Sequence, residues 1–121
     1  MENKKTLVIG ASPKPERFAY KAVTLLNKNN IPVIALGIRN GTISDIEIIK
    51  EKLPFEDIHT VSLYVGAKRQ NEYYNYILRL KPKRIIFNPG TENYELAQLA
   101  KENNIETIED CTLVMLNTGN F

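Results

Sequence analysis

The chain reads as an α/β domain built on a doubly wound parallel sheet of Rossmann type, with about five strands and helices on both faces. Three observations predict this. The run from Thr6 to Ile9 is apolar and β-branched without alternation, as in a strand covered on both faces. Segments between such runs carry apolar residues at helical spacing, and the connections are short. Right-handed crossovers then place helices on both faces, with an expected strand order of 3-2-1-4-5.

Thr6 to Ile9 is the first strand, followed by a loop from Gly10 to Pro15. From Glu16 the apolar positions Phe18, Ala19, Ala22, Val23, Leu25 and Leu26 define a helix that stops at Asn29-Asn30. Pro32 to Leu36 is a second buried strand, ended by Gly37. Between Asn40 and Phe55, Ser44 suits a helix cap, but the alternation Asp45-Ile46-Glu47-Ile48 favours extended chain. Thr60 to Val65 is the third strand in this reading. A helix from Gln70 to Leu80 turns Tyr73, Tyr74, Ile77 and Leu78 inward and Tyr76 outward, and stops before Pro82. Arg84 to Phe87 is the fourth strand, and Asn88 to Gly90 a turn. Glu92 to Asn103 is a helix using Leu96, Ala97, Leu99 and Ala100, and Ile105 to Ile108 is the fifth strand. The tail from Cys111 to Phe121 has no clear pattern; its apolar stretch Leu113-Val114-Met115-Leu116 is expected to close the core rather than form a dimer.

A length of 121 residues fits one domain covering the whole chain. Lys plus Arg is 16 against 14 for Asp plus Glu, too even a balance to suggest a nucleic-acid or membrane partner, so any anion site is local. With one cysteine, Cys111, no internal disulfide forms, and a cytoplasmic home is expected. One histidine, His59, and one cysteine are too few for a Cys/His zinc site, and no metal is expected. The run Leu7-Val8-Ile9 is too short for a signal peptide, and no later stretch is long enough to span a bilayer.

In a sheet of this kind the ligand sits outside the carboxyl ends of the strands, where strand order switches. Gly10, directly after the first strand, allows a tight turn and close backbone approach. The helix start behind it offers free N–H groups to a phosphate, Ser12 adds a hydroxyl, and Lys14 and Arg17 add charge. The spacing is neither the three-glycine dinucleotide fingerprint nor a Walker loop. An ordinary strand-to-helix turn with solvated charges would look similar. After the second strand, Leu36-Gly37-Ile38-Arg39 lacks the acid that binds an unmodified ribose in NAD enzymes. Arg39 suits a ribose phosphate instead, at the 2′ position in NADP or the 3′ position in coenzyme A.

At these positions the chain resembles a known family. VIGASPKPER after the first strand, LYV at the third, FNPGTEN after the fourth and the late DCTLVML resemble the small stand-alone coenzyme A-binding proteins. These are similar to the coenzyme A-binding domain of the succinyl-CoA synthetase alpha chain. The resemblance implies that Gly10, Ala11, Ser12, Pro13 and Lys14 hold the coenzyme's phosphates, with Arg17 at the helix start. It implies that Gly37, Ile38 and Arg39 flank the ribose and its 3′-phosphate, and that Tyr64, Val65 and Gly66 lie against the adenine end. Asn88, Pro89 and Gly90, with Glu92 and Asn93, would border the pantetheine. Many relatives have Asp-Arg-Cys before the tail; here Glu109-Asp110-Cys111 lacks that arginine. The synthetase's second domain, with its phosphohistidine, has no counterpart, so no complete ligase reaction is expected from this chain alone.

His59 is expected at the amino end of the sheet, away from the ligand, and without a catalytic partner. Cys111 follows the fifth strand near the ligand face, where a thiolate would attack a thioester or form a mixed disulfide; the plainer role is a small buried residue. Glu92 and Asn93 either line the pocket or serve the helix as dipole partner and cap. The tyrosines at 73, 74 and 76 read as packing. The expected function is binding or sensing of coenzyme A or an acyl-CoA without catalysis, with a protein partner or a homodimer as possible context. The alternatives are an NADP or other nucleotide enzyme or redox sensor, thioester chemistry at Cys111, or a fold that has lost its ligand.

Overall fold

The computed structural model describes residues 3–121. Its strands are β1 (Thr6–Ile9), β2 (Val33–Leu36), β3 (Thr42–Ile43), β4 (Ile46–Ile49), β5 (Thr60–Leu63), β6 (Arg84–Phe87) and β7 (Glu106–Glu109). Its helices are α1 (Phe18–Lys28), α2 (Ala67–Gln70), α3 (Tyr74–Leu80), α4 (Tyr94–Glu102) and α5 (Thr112–Asn117), with one 3-10 turn at Asn71–Tyr73. The strands form one sheet in the order β3-β4-β2-β1-β5-β6-β7. Every pairing is parallel except the β3–β4 hairpin.

The fold class is as expected, but the sheet has seven strands rather than five, and the neighbour of β2 differs. The Thr60 strand lies beside β1, and the place outside β2 belongs to β4, from the segment expected to be extended. Burial explains the exchange. All four residues of β5 are buried, which requires a strand on each side. β4 alternates, with Glu47 exposed and Ile48 buried, which suits a position near the edge. Numbered in chain order without the hairpin strand β3, the six remaining strands run 3-2-1-4-5-6, the doubly wound order.

Alternate residues of the strands feed two cores. Leu7, Ile9, Val61, Leu63, Ile85 and Phe87 pack under Tyr73, Ile77, Leu96 and Ala100, from the segments leading through α3 and α4. Val8 and Ala35 face the other way, onto Ala19, Val23 and Leu26 of α1, with Leu116 of α5 alongside. The tail is therefore helical, and Met115 is buried.

The helix expected from Gln70 begins earlier, at Ala67, and tightens into the 3-10 turn before α3. Tyr76 does not face away: it is buried, and its hydroxyl donates to the Leu53 carbonyl at 2.6 Å. The chain between β4 and β5 folds over that side of α3, which local periodicity does not reveal. His59 stands at the amino end of β5, with Nδ1 2.7 Å from the Thr60 hydroxyl. Among the described residues, no helix is long and apolar enough to cross a membrane.

Candidate functional site

β1 leads to α1 on one face of the sheet, while β5 leads to α2 and α3 on the other. The segments leaving their carboxyl ends therefore part, although the strands stay paired, and a cleft of about 470 Å³ opens there. Its size lies within the range of small-molecule sites.

The first loop forms the floor and one wall. The N–H groups of Gly10 and Ala11 both donate to the Leu36 carbonyl at 2.9 Å, which pins the loop to the end of β2. Gly10 has φ +97°, and a Cβ there would come within 2.9 Å of the Tyr64 backbone. Gly37 is required by contact: a Cβ would run into the Ala11 carbonyl oxygen. The Ser12 hydroxyl accepts from the Lys14 N–H at 3.2 Å and keeps its own proton to donate. α1 starts without a side-chain cap and with no acid in its first turn, so its leading N–H groups are left for a ligand or water.

Most of the expected residues come together here. Gly10, Ala11, Ser12, Lys14, Arg17, Gly37, Ile38, Arg39, Tyr64, Val65, Gly66, Pro89 and Gly90 line the cleft. Ile38 is 64% exposed and Phe18 66%, so the walls present bare apolar surface as well as charge. Among the described residues, none of those lining the cleft is acidic.

The others have structural tasks outside the lining. Pro13 packs against the backbone at Gly41. Asn88 is buried; its Nδ2 donates to the Ser62 hydroxyl and the Leu63 carbonyl, and its Oδ1 accepts from the Thr112 N–H. Glu92 accepts from the Gly90 N–H at 2.9 Å, closing its own turn. Asn93 caps α4 through the Leu96 N–H and donates to Gln70 and to the Tyr74 hydroxyl. Cys111 is half-buried at the start of α5, where its N–H donates to the Asp110 carboxylate at 2.7 Å.

Phe18, Ala19, Arg69, Tyr73 and Thr91 also line the cleft and were not anticipated. Phe18 and Ala19 open α1 directly behind the first loop, so the loop's own argument extends to them. Arg69 and Tyr73 share a face at i, i+4 spacing once the helical segment is begun at Ala67.

Tyr64 turns its ring to the cleft and its hydroxyl inward. That hydroxyl is shut from solvent and meets no partner at hydrogen-bonding geometry, although the Thr112 and Ser62 hydroxyls lie near it. Burial pushes the phenol up to about 12. Burial, and then the charge of Glu72, also raise Tyr73, against the opposing charge of Arg69.

A family model described as a CoA binding domain matches residues 4–117. The chain belongs to that family. No curated protein matches this CoA-binding domain. A crystal structure of an uncharacterized protein is 46% identical over the whole of both chains, with a TM-score of 0.96. A hypothetical protein from Pyrococcus horikoshii OT3 is 25% identical, covering 96% of this chain and 83% of that one, with a TM-score of 0.86. A conserved hypothetical protein from Pyrococcus furiosus is 18% identical over 92% of this chain and 97% of that one, with a TM-score of 0.80. At that identity the likeness shows the fold alone.

Proposed function

We propose that the cleft binds coenzyme A or an acyl-CoA, and that the chain is a binding or sensing module rather than an enzyme. One observation carries the reading: Lys14, Arg17 and Arg39 line the cleft with an uncapped helix start, and no carboxylate joins them among the described residues. A ligand with a diphosphate and a further phosphate on its ribose satisfies that arrangement. In this reading the diphosphate lies on the loop from Gly10 to Lys14, and Arg39 takes the 3′-phosphate. Adenine rests near Ile38 and the turn from Tyr64 to Gly66, and pantetheine leaves past Pro89 and Gly90. Asn88, Glu92 and Asn93 serve by holding that turn. Cys111 has no chemical role, since it does not line the cleft.

Calorimetric titration with coenzyme A, dephospho-coenzyme A and NADP tests this. Coenzyme A should bind more tightly than its dephospho form, and Arg39→Ala should remove most of that preference, about tenfold or more. Binding of NADP but not coenzyme A would overturn the reading in favour of a redox role.

A further inference from the structure

The roles just assigned leave one cation of the cleft without a task. Arg69 lies on the segment that leads to Tyr73, on the opposite sheet face from α1. It lines the cleft, is exposed, and has no carboxylate partner among the described residues. Arg69 and Tyr73 both line that wall of the cleft, and the charge of the guanidinium bears on the Tyr73 phenol. No Cβ stands at Gly66, three residues earlier, and one added there would meet nothing within 4 Å, so space is open beside it.

Charge counting gives Arg69 a role. Coenzyme A carries about four negative charges near neutral pH, two on the diphosphate and close to two on the monoester, whose second pKa is near 6. Lys14, Arg17 and Arg39 supply three positive charges, and Arg69 supplies the fourth. The diphosphate belongs where the segments following β1 and β5 turn to opposite faces of the sheet, and Arg69 is the cation on the far side of that divide.

We propose that Arg69 is the second arm of a diphosphate clamp. The loop and the α1 start hold the diphosphate from one face of the sheet, and Arg69 holds it from the other. The inference rests on the cleft being a diphosphate site, as in the reading above, but it does not require coenzyme A itself.

The experiment measures affinities of ADP, dephospho-coenzyme A and coenzyme A for the wild type, Arg69→Ala, Arg69→Lys and Arg39→Ala. Arg69→Ala should weaken all three ligands by a similar factor, about tenfold, which is 1.4 kcal/mol. Arg69→Lys should recover part of the loss. Arg39→Ala should weaken coenzyme A alone. The clamp is overturned if Arg69→Ala leaves ADP and dephospho-coenzyme A unchanged, or weakens only ligands bearing the 3′-phosphate. If ADP binds in an Arg69-dependent way while coenzyme A binds no better than ADP, the clamp stands and the coenzyme A reading falls. If the wild type binds none of them, both fall.

Discussion

Three glycines at the cleft separate backbone strain from steric contact. Gly10 has φ +97° and Gly90 has φ +89°, so alanine is strained at both. That strain costs about 1–2 kcal/mol at each position. Beyond strain the two differ. A Cβ at Gly90 meets nothing within 4 Å, whereas one at Gly10 lies 2.9 Å from the carbonyl carbon and oxygen of Tyr64. Those atoms belong to the backbone just past β5, and the Tyr64 N–H is itself bonded to the Ile9 carbonyl at 2.8 Å. Relief therefore requires β1 and β5 to move apart at the cleft floor, at an overpacking cost of about 1–3 kcal/mol. Gly10→Ala should lose about 3–4 kcal/mol in all and Gly90→Ala about 1–2.

Urea unfolding reads both. With a slope of roughly 1.5 kcal/mol/M, Gly10→Ala should lower the midpoint by about 2 M and Gly90→Ala by about 1 M. Gly66 lacks a positive φ and has open space, so Gly66→Ala should leave the midpoint unchanged or slightly raised. Equal shifts for Gly10→Ala and Gly90→Ala would refute the contact argument, because strain alone would then account for both.

Further outcomes follow from the polar interior and from the cleft's chemistry. Asn88→Ala removes the acceptor of the Thr112 N–H and one bond each to the Leu63 carbonyl and to the Ser62 hydroxyl, which keeps the Thr112 hydroxyl, and should cost about 2–3 kcal/mol in chemical unfolding, with faster hydrogen exchange at the start of α5. Tyr64 has its folded pKa raised from 10.0 to about 12, so the folded state holds the proton longer; its contribution is intact below pH 10 and lost as pH rises towards 12. Stability should therefore fall by up to about 2 kcal/mol across that window, and Tyr64→Phe should flatten that part of the decline. Coenzyme A affinity should be level above neutral pH and weaken below about pH 6, where the ligand's own monoester gains a proton.

Local patterning carries the fold and the anion loop because both are written in short stretches of chain. Fully apolar β1 announces a covered strand, and Gly10 with Lys14 and Arg17 announces a charged turn at its end. What the pattern does not carry is non-local. The choice of β4 over β5 as the neighbour of β2 depends on which strand needs two covered faces. Tyr76 is inward because Leu53, 23 residues away, supplies both cover and an acceptor. Asn88 looks like a pocket residue by position, yet it ties together Ser62 and Thr112, 26 and 24 residues distant. Arg69 escapes notice because a helix begun at Gln70 leaves it in an unplaced loop, whereas α2 begins at Ala67 and carries it into the cleft.

The chemistry of the lining supports holding a ligand over transforming it. Its titratable side chains are Lys14, Arg17, Arg39, Arg69, Tyr64 and Tyr73. Burial pushes both tyrosines above the usual phenol range. Neither phenol is poised to take up and release a proton near pH 7, as a general acid or base must. His59, the residue type best suited to that work, enters β5 from the opposite end of the sheet, so the distance spanned by the strands separates it from the cleft. What remains at the carboxyl ends is a fixed set of donors and positive charges on two facing walls, and the proposed reading of a phosphate-binding cleft rests on that arrangement.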